Sequence, residues 1–398
     1  MRRLVRFASS LSLLVAAGCS NDSTAPHALS DASVHDAAVV QDATPTAIPD
    51  AKPLPDVSAP PLFDAAPPRE TSVDAAPGAD DASDASDASV APTDYPRLLS
   101  QTGLFSDMAK ETLADGVRNF EPRYVLWSDG ATKRRWLYLP PGAQIDTTDM
   151  DFWTYPVGTT AWKEFTSGKI RVETRMLRKN GPKQSDWTMI AYQWKSDQSD
   201  AVAVPLGKVN ASGTTHDIPS QHDCQFCHGN MKDTLLGVSA IQLSHGATQP
   251  GFRIDDLIAE GRLSSPPAAA IQIPGGPVAE AALGYLHANC GVCHNSQSGI
   301  ARATALRLWE STTQLDTVEH TLGYETTVLR PNGFYSELHV IEPGRPDLSE
   351  LVLRISQRGA AQMPPIATKI VDPMGIATVR TWVESLPRPT DAGAPDAH

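Results

Sequence analysis

The chain has 398 residues, a formal net charge of −13 and an apolar fraction of 41%. This length accommodates more than one domain. The acidic balance and the lack of basic tracts give no indication of nucleic-acid binding, and no convincing nucleophilic-serine motif or glycine-rich phosphate loop occurs.

Residues 1–19 have the pattern of a lipoprotein signal peptide. Three arginines precede a short apolar core at 11–17, and small residues then lead to Cys19. The core is too short to cross a bilayer as a helix. Its ending resembles a bacterial lipobox, which predicts an exported protein lipidated at Cys19; the alternative is an ordinary secretory peptide. Ser20 after the cysteine favours the outer membrane, facing the periplasm or the cell surface.

Residues 20–94 consist mainly of Ala, Asp, Pro and Ser and carry most of the negative charge. Hardly any aromatic or branched apolar side chain is available for burial, which predicts a disordered tether. The last residues, 387–398, are a second predicted disordered tail.

A β-rich domain is predicted at 95–215. Strand-like runs at 124–139, 151–157, 161–165, 170–178, 188–194 and 201–205 are separated by turn residues, which is typical of an antiparallel sandwich or barrel. Six of the eight tryptophans lie here. They either pack the core or line a carbohydrate-binding face.

Helical patterns follow at 233–243, 254–260, 279–289 and 374–386. They divide this part of the chain into a segment at 216–276 and a domain at 277–386. The expected fold class is therefore α+β and multidomain, with the β-rich domain first and the helical region second.

Two Cys-x-x-Cys-His motifs lie in the helical region. In such a motif two thiols bond to the vinyl groups of a haem, and the adjacent imidazole binds the iron. The fifth cysteine is Cys19, so none is left for a disulfide framework. We therefore expect two covalent c-type haems. Motif 1 consists of Cys224, Cys227 and His228, and motif 2 of Cys290, Cys293 and His294. The motifs predict that 216–276 is a first haem-binding segment and that 277–386 is a cytochrome c-like domain.

The two cysteine pairs have two alternative uses, a zinc knuckle and a thioredoxin-type dithiol. A zinc knuckle spaces its pairs by about 15 to 20 residues, much less than the gap here, and does not require a histidine after each pair. A thioredoxin-type dithiol also has no use for that histidine.

Each iron needs a second axial ligand. For motif 2 we expect Met363, because the following Pro-Pro holds it in an extended loop. For motif 1 the prediction is His287, which faces away from the second haem on the helix that delivers Cys290; His216 and His245 remain sterically suitable. A lone histidine such as His287 also commonly has a purely structural role.

Several segments together resemble a family of exported bacterial dihaem cytochrome c-like proteins with a β-rich N-terminal region. The resemblance covers residues 99–386 and implies haem binding and electron transfer. Some family members are fused to a quinoprotein sugar dehydrogenase propeller, which this chain lacks. The matching segments include Leu-Trp-Ser-Asp-Gly-Ala at 126–131, Arg-Trp-Leu-Tyr-Leu-Pro-Pro-Gly at 135–142, Glu-Thr-Arg-Met-Leu at 173–177, Cys-Gln-Phe-Cys-His at 224–228, His-Ala-Asn-Cys at 287–290 and Met-Pro-Pro at 363–365.

The expected function is electron transfer between a periplasmic or surface dehydrogenase, such as a quinoprotein, and another redox protein. An alternative is a dihaem peroxidase, in which one iron keeps an open position for peroxide. A third idea is a surface lipoprotein whose β-rich domain binds carbohydrate or a neighbouring protein. Contact with the membrane is expected through the lipid anchor only.

Overall fold

The computed structural model describes residues 94–246, 249–331, 334–335 and 337–389. The predicted signal peptide with Cys19, nearly all of the tether and most of the tail lie outside the described residues. Within the described ranges, the strands precede all the α-helices, as the predicted order requires. The strands are β1 (Phe105–Asp107), β2 (Thr112–Leu113), β3 (Val117–Asn119), β4 (Thr132–Tyr138), β5 (Thr160–Ser167), β6 (Ile170–Lys179), β7 (Trp187–Trp194) and β8 (Ala201–Ala203). The helices are α1 (Gln221–His228), α2 (Ala240–Leu243), α3 (Ile254–Ala259), α4 (Gly276–Asn289), α5 (Leu322–Glu325), α6 (Glu350–Ile355) and α7 (Pro373–Ser385).

Strands β3 to β8 form one six-stranded antiparallel sheet in which neighbours in sequence are neighbours in space. The predicted antiparallel β-rich region is therefore confirmed. The second layer differs from a full sandwich, because it is only the β1–β2 hairpin. The hairpin packs on the sheet through Phe105, whose ring meets Trp136 edge-on at 6.0 Å between centroids.

The two faces of the sheet bury different cores, because successive side chains of a strand point to opposite sides. The face toward the hairpin carries Trp136, Trp162, Met176 and Ile190, which pack with residues near the start of the described chain. The other face carries Leu137, Ala161, Leu177 and Met189, which pack with residues of α2 and α3. The sheet and the helical region thus share a core.

A separate core, apart from the two on the faces of the sheet, lies between helices α4 and α7. Leu286 on α4 and Trp382 and Val383 on α7 are almost completely buried there. Helix α7 begins with Pro373 at its first position, and the side chain of Asp372 accepts a hydrogen bond from the amide of Gly375 at 3.0 Å. The helix predicted at 374–386 is confirmed.

Two predicted elements are largely irregular. The run at 151–157 pairs only through Thr154 and Asp146, since the amide of Tyr155 donates to the side chain of Asp233 instead of a neighbouring strand. The helix predicted at 233–243 is reduced to α2, because Gly237 has a φ of +81° and interrupts it.

No helix among the described residues is long and apolar enough to cross a bilayer.

Candidate haem sites

Helix α1 presents the three residues of motif 1. Its start is fixed by a capping box: the Ser220 hydroxyl accepts from the amide of Asp223 at 3.2 Å, and the Asp223 carboxylate accepts from the amide of Ser220 at 2.9 Å. Residues at i, i+3 and i+4 share one face of a helix. Cys224, Cys227 and His228 therefore lie together, with Cys224 packed against the apolar core under the sheet.

The ring of His228 is oriented by a backbone carbonyl. Its Nδ1 lies 2.7 Å from the carbonyl oxygen of Thr234, and a carbonyl only accepts, so Nδ1 carries the proton. The Nε2 lone pair is then free for a metal, which is the arrangement found in metal-binding histidines. Burial lowers the pKa of His228 to about 4, which keeps the imidazole neutral as ligation requires.

Asp233 anchors the loop that supplies this carbonyl. Its buried carboxylate accepts from Lys179 Nζ at 2.5 Å, from Trp187 Nε1 at 2.6 Å and from the amide of Tyr155 at 2.8 Å. Lys179 and Trp187 belong to the sheet. The orientation of His228 thus depends on a buried ion pair between the helical region and the sheet.

Motif 2 begins where α4 ends. The amide of Cys290 donates to Leu286 at 2.9 Å, and the amides of Cys293 and His294 both donate to the Cys290 carbonyl, at 3.1 and 2.9 Å. The motif therefore folds as one more helical turn, which brings its two thiols and its imidazole to one side of that turn. Burial lowers the pKa of His294 to about 4.

Met363 and Cys290 pack against the same apolar core, formed mainly by α4, α6 and α7. The amide of Met363 donates to the carbonyl of Arg354 at 3.0 Å, and the charge of Arg354 acts on His294. The predicted ligand thus lies in the neighbourhood of motif 2.

Buried polar atoms without partners occur in this neighbourhood. They are His294 Nδ1, Trp382 Nε1 and Arg358 Nε. Buried polar groups in native proteins almost always have a partner. A haem carries carboxylates that accept hydrogen bonds, and the Nε–H of Arg358 and the indole N–H of Trp382 are donors of the kind that such a group needs. His294 Nδ1 is not such a donor, because in an imidazole that binds iron through Nε2 this nitrogen points away from the haem.

The two motifs touch through Asn230. Its Nδ2 lies 3.9 Å from the sulfur of Cys293, and its Oδ1 accepts from the hydroxyl of Ser298 at 3.0 Å. Close by, Asn295 Nδ2 lies 3.7 Å from the sulfur of Met231. The residues just after each Cys-x-x-Cys-His motif therefore pack against each other, and groups bound at the two motifs would be neighbours.

His287 is buried, as its predicted position between the two haems requires, but its tautomer does not suit iron. Its Nδ1 accepts a hydrogen bond from the amide of Glu310 at 3.0 Å, so the ring proton lies on Nε2. The ring stacks on Trp309 with centroids 4.2 Å apart. An Nε2 that carries a proton has no lone pair for a metal. Nε2 of His287 is buried and has no partner among the described residues, and iron binding by His287 stays a prediction.

The thiols do not resemble redox dithiols. Burial raises the pKa of Cys290 to about 12 and that of Cys293 to about 11, and it raises the pKa values of Cys224 and Cys227 as well. Catalytic dithiols depend on a lowered pKa. In the part of the chain that the structure describes, no three His, Cys, Asp or Glu side chains converge into a metal-binding cluster, so the four cysteines do not form a zinc knuckle there.

The other histidines are placed differently. Nε2 of His216 lies 2.7 Å from the buried carboxylate of Glu173, and His222 on α1 faces the ring of Phe226. His245 is half-buried, and its Nε2 has no partner among the described residues.

Comparisons with protein-family models, curated proteins and solved structures give no match.

Thr234, Asp233 and Asn230 were not predicted as site residues. Thr234 acts through its backbone carbonyl, for which no residue type is required. Asp233 depends on a lysine 54 positions earlier in the chain. Only Asn230 had a usable signal, which was its place directly after a Cys-x-x-Cys-His motif.

Proposed function

We propose that this protein is an exported dihaem c-type cytochrome that carries electrons between a dehydrogenase and another redox protein. The observation that carries the proposal is the folding of both Cys-x-x-Cys-His motifs into equivalent helical turns that contact each other through Asn230. Motifs placed side by side suit electron transfer from one bound haem to the next.

The chain's own residues have distinct tasks in this function. His228 and His294 would hold the irons, and the four cysteines of motifs 1 and 2 would hold the macrocycles. The Thr234 carbonyl keeps the proton of His228 on Nδ1. When bound, each haem supplies reversible one-electron chemistry at iron.

Met363 supports the carrier function at motif 2. Its thioether would be a further ligand of the iron that His294 would hold, and an iron with six ligands exchanges electrons without binding substrate. Methionine ligation also raises the reduction potential of a haem iron relative to ligation by two histidines.

We place the protein outside the cytoplasm, where c-type haem is attached, with a lipid on Cys19 as its only membrane contact. Its electron donor is a separate protein, such as a quinoprotein dehydrogenase. The support for this part of the proposal is the sequence of the leader and the family resemblance.

The test is the number of haems bound by each motif. Wild-type protein, Cys224→Ala/Cys227→Ala and Cys290→Ala/Cys293→Ala are compared by intact mass and pyridine haemochrome absorbance. We expect two haems in the wild type and one in each variant. A wild-type mass without haem, or with zinc in its place, would rule out the proposed function.

A second candidate, a dihaem peroxidase, is favoured by one observation. Neither His216 nor His287 presents a free Nε2 lone pair toward a metal, which leaves the sixth position at motif 1 without a histidine from these two. An open position would give a high-spin haem that binds cyanide. Titration of the oxidised protein with cyanide distinguishes the two functions, because a carrier with both irons fully ligated resists it.

A further inference from the structure

The sheet face toward the helices carries three cations in one line. Arg135 on β4 pairs in register with Lys163 on β5, and Lys163 pairs in register with Arg175 on β6. Register partners point to the same face, and neighbouring strands lie about 4.8 Å apart. We call these three residues the cation row.

The two ends of the cation row are neutralised by protein carboxylates. Arg135 binds Glu121 at 2.6 Å, and Arg175 binds the buried Glu173 at 2.5 Å. These two ion pairs leave the outer members of the row with a net charge close to zero.

The central member of the cation row has no such partner. Lys163 forms no ion pair with any described carboxylate, and its ammonium lies 5.0 Å from the ring centroid of Phe165. Burial, Arg135 and Arg175 together hold the pKa of Lys163 well below its usual range. A half-buried cation between two others is costly unless an anion offsets it.

The cation row lies beside motif 1. The charge of Arg175 acts on both thiols of the motif, and the charge of Lys163 acts on Cys227 and His228. Helix α1 packs near β7, the strand next to β6. The row therefore starts close to α1 and extends across β6, β5 and β4 away from it.

An apolar line runs next to the cation row on the same face. Leu137, Ala161 and Leu177 form this adjacent register line on the same three strands. They are buried against residues of α2 and α3, in the core against which Cys224 also packs. A ligand held by motif 1 would therefore lie at the edge of an apolar core and beside positive charge, which matches an amphipathic molecule with carboxylates at one edge.

We propose that the cation row is the binding site for the carboxylates of the haem at motif 1, with Lys163 supplying the positive charge that no protein carboxylate offsets. This inference rests on the proposed function. It adds to that function a second means of holding the haem, through its carboxylates, besides the thioether bonds and His228.

The test uses three variants of the full chain carrying both haems. Lys163→Met removes the charge and keeps the length of the side chain, Lys163→Arg keeps the charge, and Lys169→Met changes an exposed lysine of the turn between β5 and β6 as a control. Resonance Raman spectra report the bending modes of the haem carboxylates, and redox titration reports the two midpoint potentials. Thermal melts establish that each variant is folded.

We expect Lys163→Met to shift the carboxylate bending modes of one haem and to lower its potential, because a lost cation destabilises the reduced, more negative form. Lys163→Arg should restore both readouts, and Lys169→Met should match the wild type. Unchanged bending modes in a folded Lys163→Met variant would overturn the inference. A change of iron spin state in both Lys163 variants would also overturn it, since Lys163 would then be an iron ligand. In either case wild-type protein still carries two haems, whereas loss of the proposed function appears as their absence from the wild-type mass.

Discussion

Nδ1 of His228 and the carbonyl oxygen of Thr234 lie 2.7 Å apart, although the two residues are separated by a loop that has no regular structure. The loop is held by Asp233, whose carboxylate is buried in the sheet with Lys179. The geometry of a proposed iron ligand therefore depends on an ion pair that is itself remote from the iron.

Replacing Asp233 with asparagine should destabilise the fold and loosen His228 together. The substitution keeps the shape but leaves Lys179 as an unpaired buried cation, which costs about 3–5 kcal/mol. Urea unfolding measures the loss. Glu260→Gln, which breaks a solvent-exposed pair with Arg118, is the matched control and should have a much smaller effect.

The spectrum of the haem at motif 1 shows whether Asp233 positions His228 or only stabilises the fold. If Asp233 positions Thr234, then Asp233→Asn should broaden or shift the low-spin signal of the haem at motif 1 under conditions where the variant is fully folded. The haem at motif 2 should be unaffected. An intact motif 1 signal in the folded variant would show that the carbonyl does not depend on Asp233.

Met363→Ala should abolish the methionine-to-iron charge-transfer band of the oxidised protein and lower one midpoint potential. The physical reason is that a thioether stabilises reduced iron more than the replacement ligand would. Met374→Ala is the control, since Met374 is 80% exposed on α7. A charge-transfer band that survives in Met363→Ala would assign another side chain to the iron.

Lipidation of Cys19 is testable in cells that express the full chain. Metabolic labelling with a fatty-acid analogue should tag wild-type protein in the membrane fraction, and Cys19→Ser should remove the tag and release the protein. An unlabelled wild type in the soluble fraction would favour the ordinary secretory peptide.

Local sequence patterns predicted β6, β7, α4 and α7 well, whereas α1, α5 and α6 were not predicted. Alternating apolar residues predicted β6 and β7 to within one residue at each end. Periodic apolar residues, which include Leu286 on α4 and Trp382 on α7, predicted those two helices. These patterns succeed because one face of each element is buried over its whole length. The run at 233–243 failed for the opposite reason: Asp233 is fixed by side chains distant in sequence, and Gly237 ends any helical continuation.

The candidate site was only partly predictable. The two Cys-x-x-Cys-His motifs have a fixed spacing, so the sequence alone identifies their six residues. The environment of Lys163 depends on the register of β4, β5 and β6, and the tautomer of His287 depends on one amide of a residue 23 positions later. Neither relation leaves a pattern along the chain.

His287 offers a direct test of its tautomer. His287→Phe keeps a ring beside Trp309 but leaves the amide of Glu310 without an acceptor, which costs about 1–3 kcal/mol. His287→Asn provides an acceptor oxygen and should lose less at that position. Both variants should leave the spin states of the two haems as they are in the wild type. A high-spin haem in both would establish His287 as an iron ligand after all.

Glu310 should make the stability of the protein fall as pH rises. Its buried side chain accepts from the amide of Gly323 at 3.1 Å, and burial raises its pKa from 4.5 to about 8. Between these two values the unfolded chain releases a proton that the folded chain retains. The free energy of unfolding is therefore lost progressively between about pH 4.5 and pH 8, by on the order of 4 kcal/mol in total.

Glu310→Gln removes this titration while keeping an oxygen acceptor for Gly323. The difference in unfolding free energy between the variant and the wild type should therefore change steadily in favour of the variant as pH rises from about 5 to about 8. Urea midpoints measured at intervals across that range provide the comparison, with Glu384→Gln on the exposed side of α7 as the control. A difference that does not vary with pH would mean that the Glu310 carboxyl titrates at its ordinary pKa in the folded protein, so its burial would have to be relieved by a neighbouring donor.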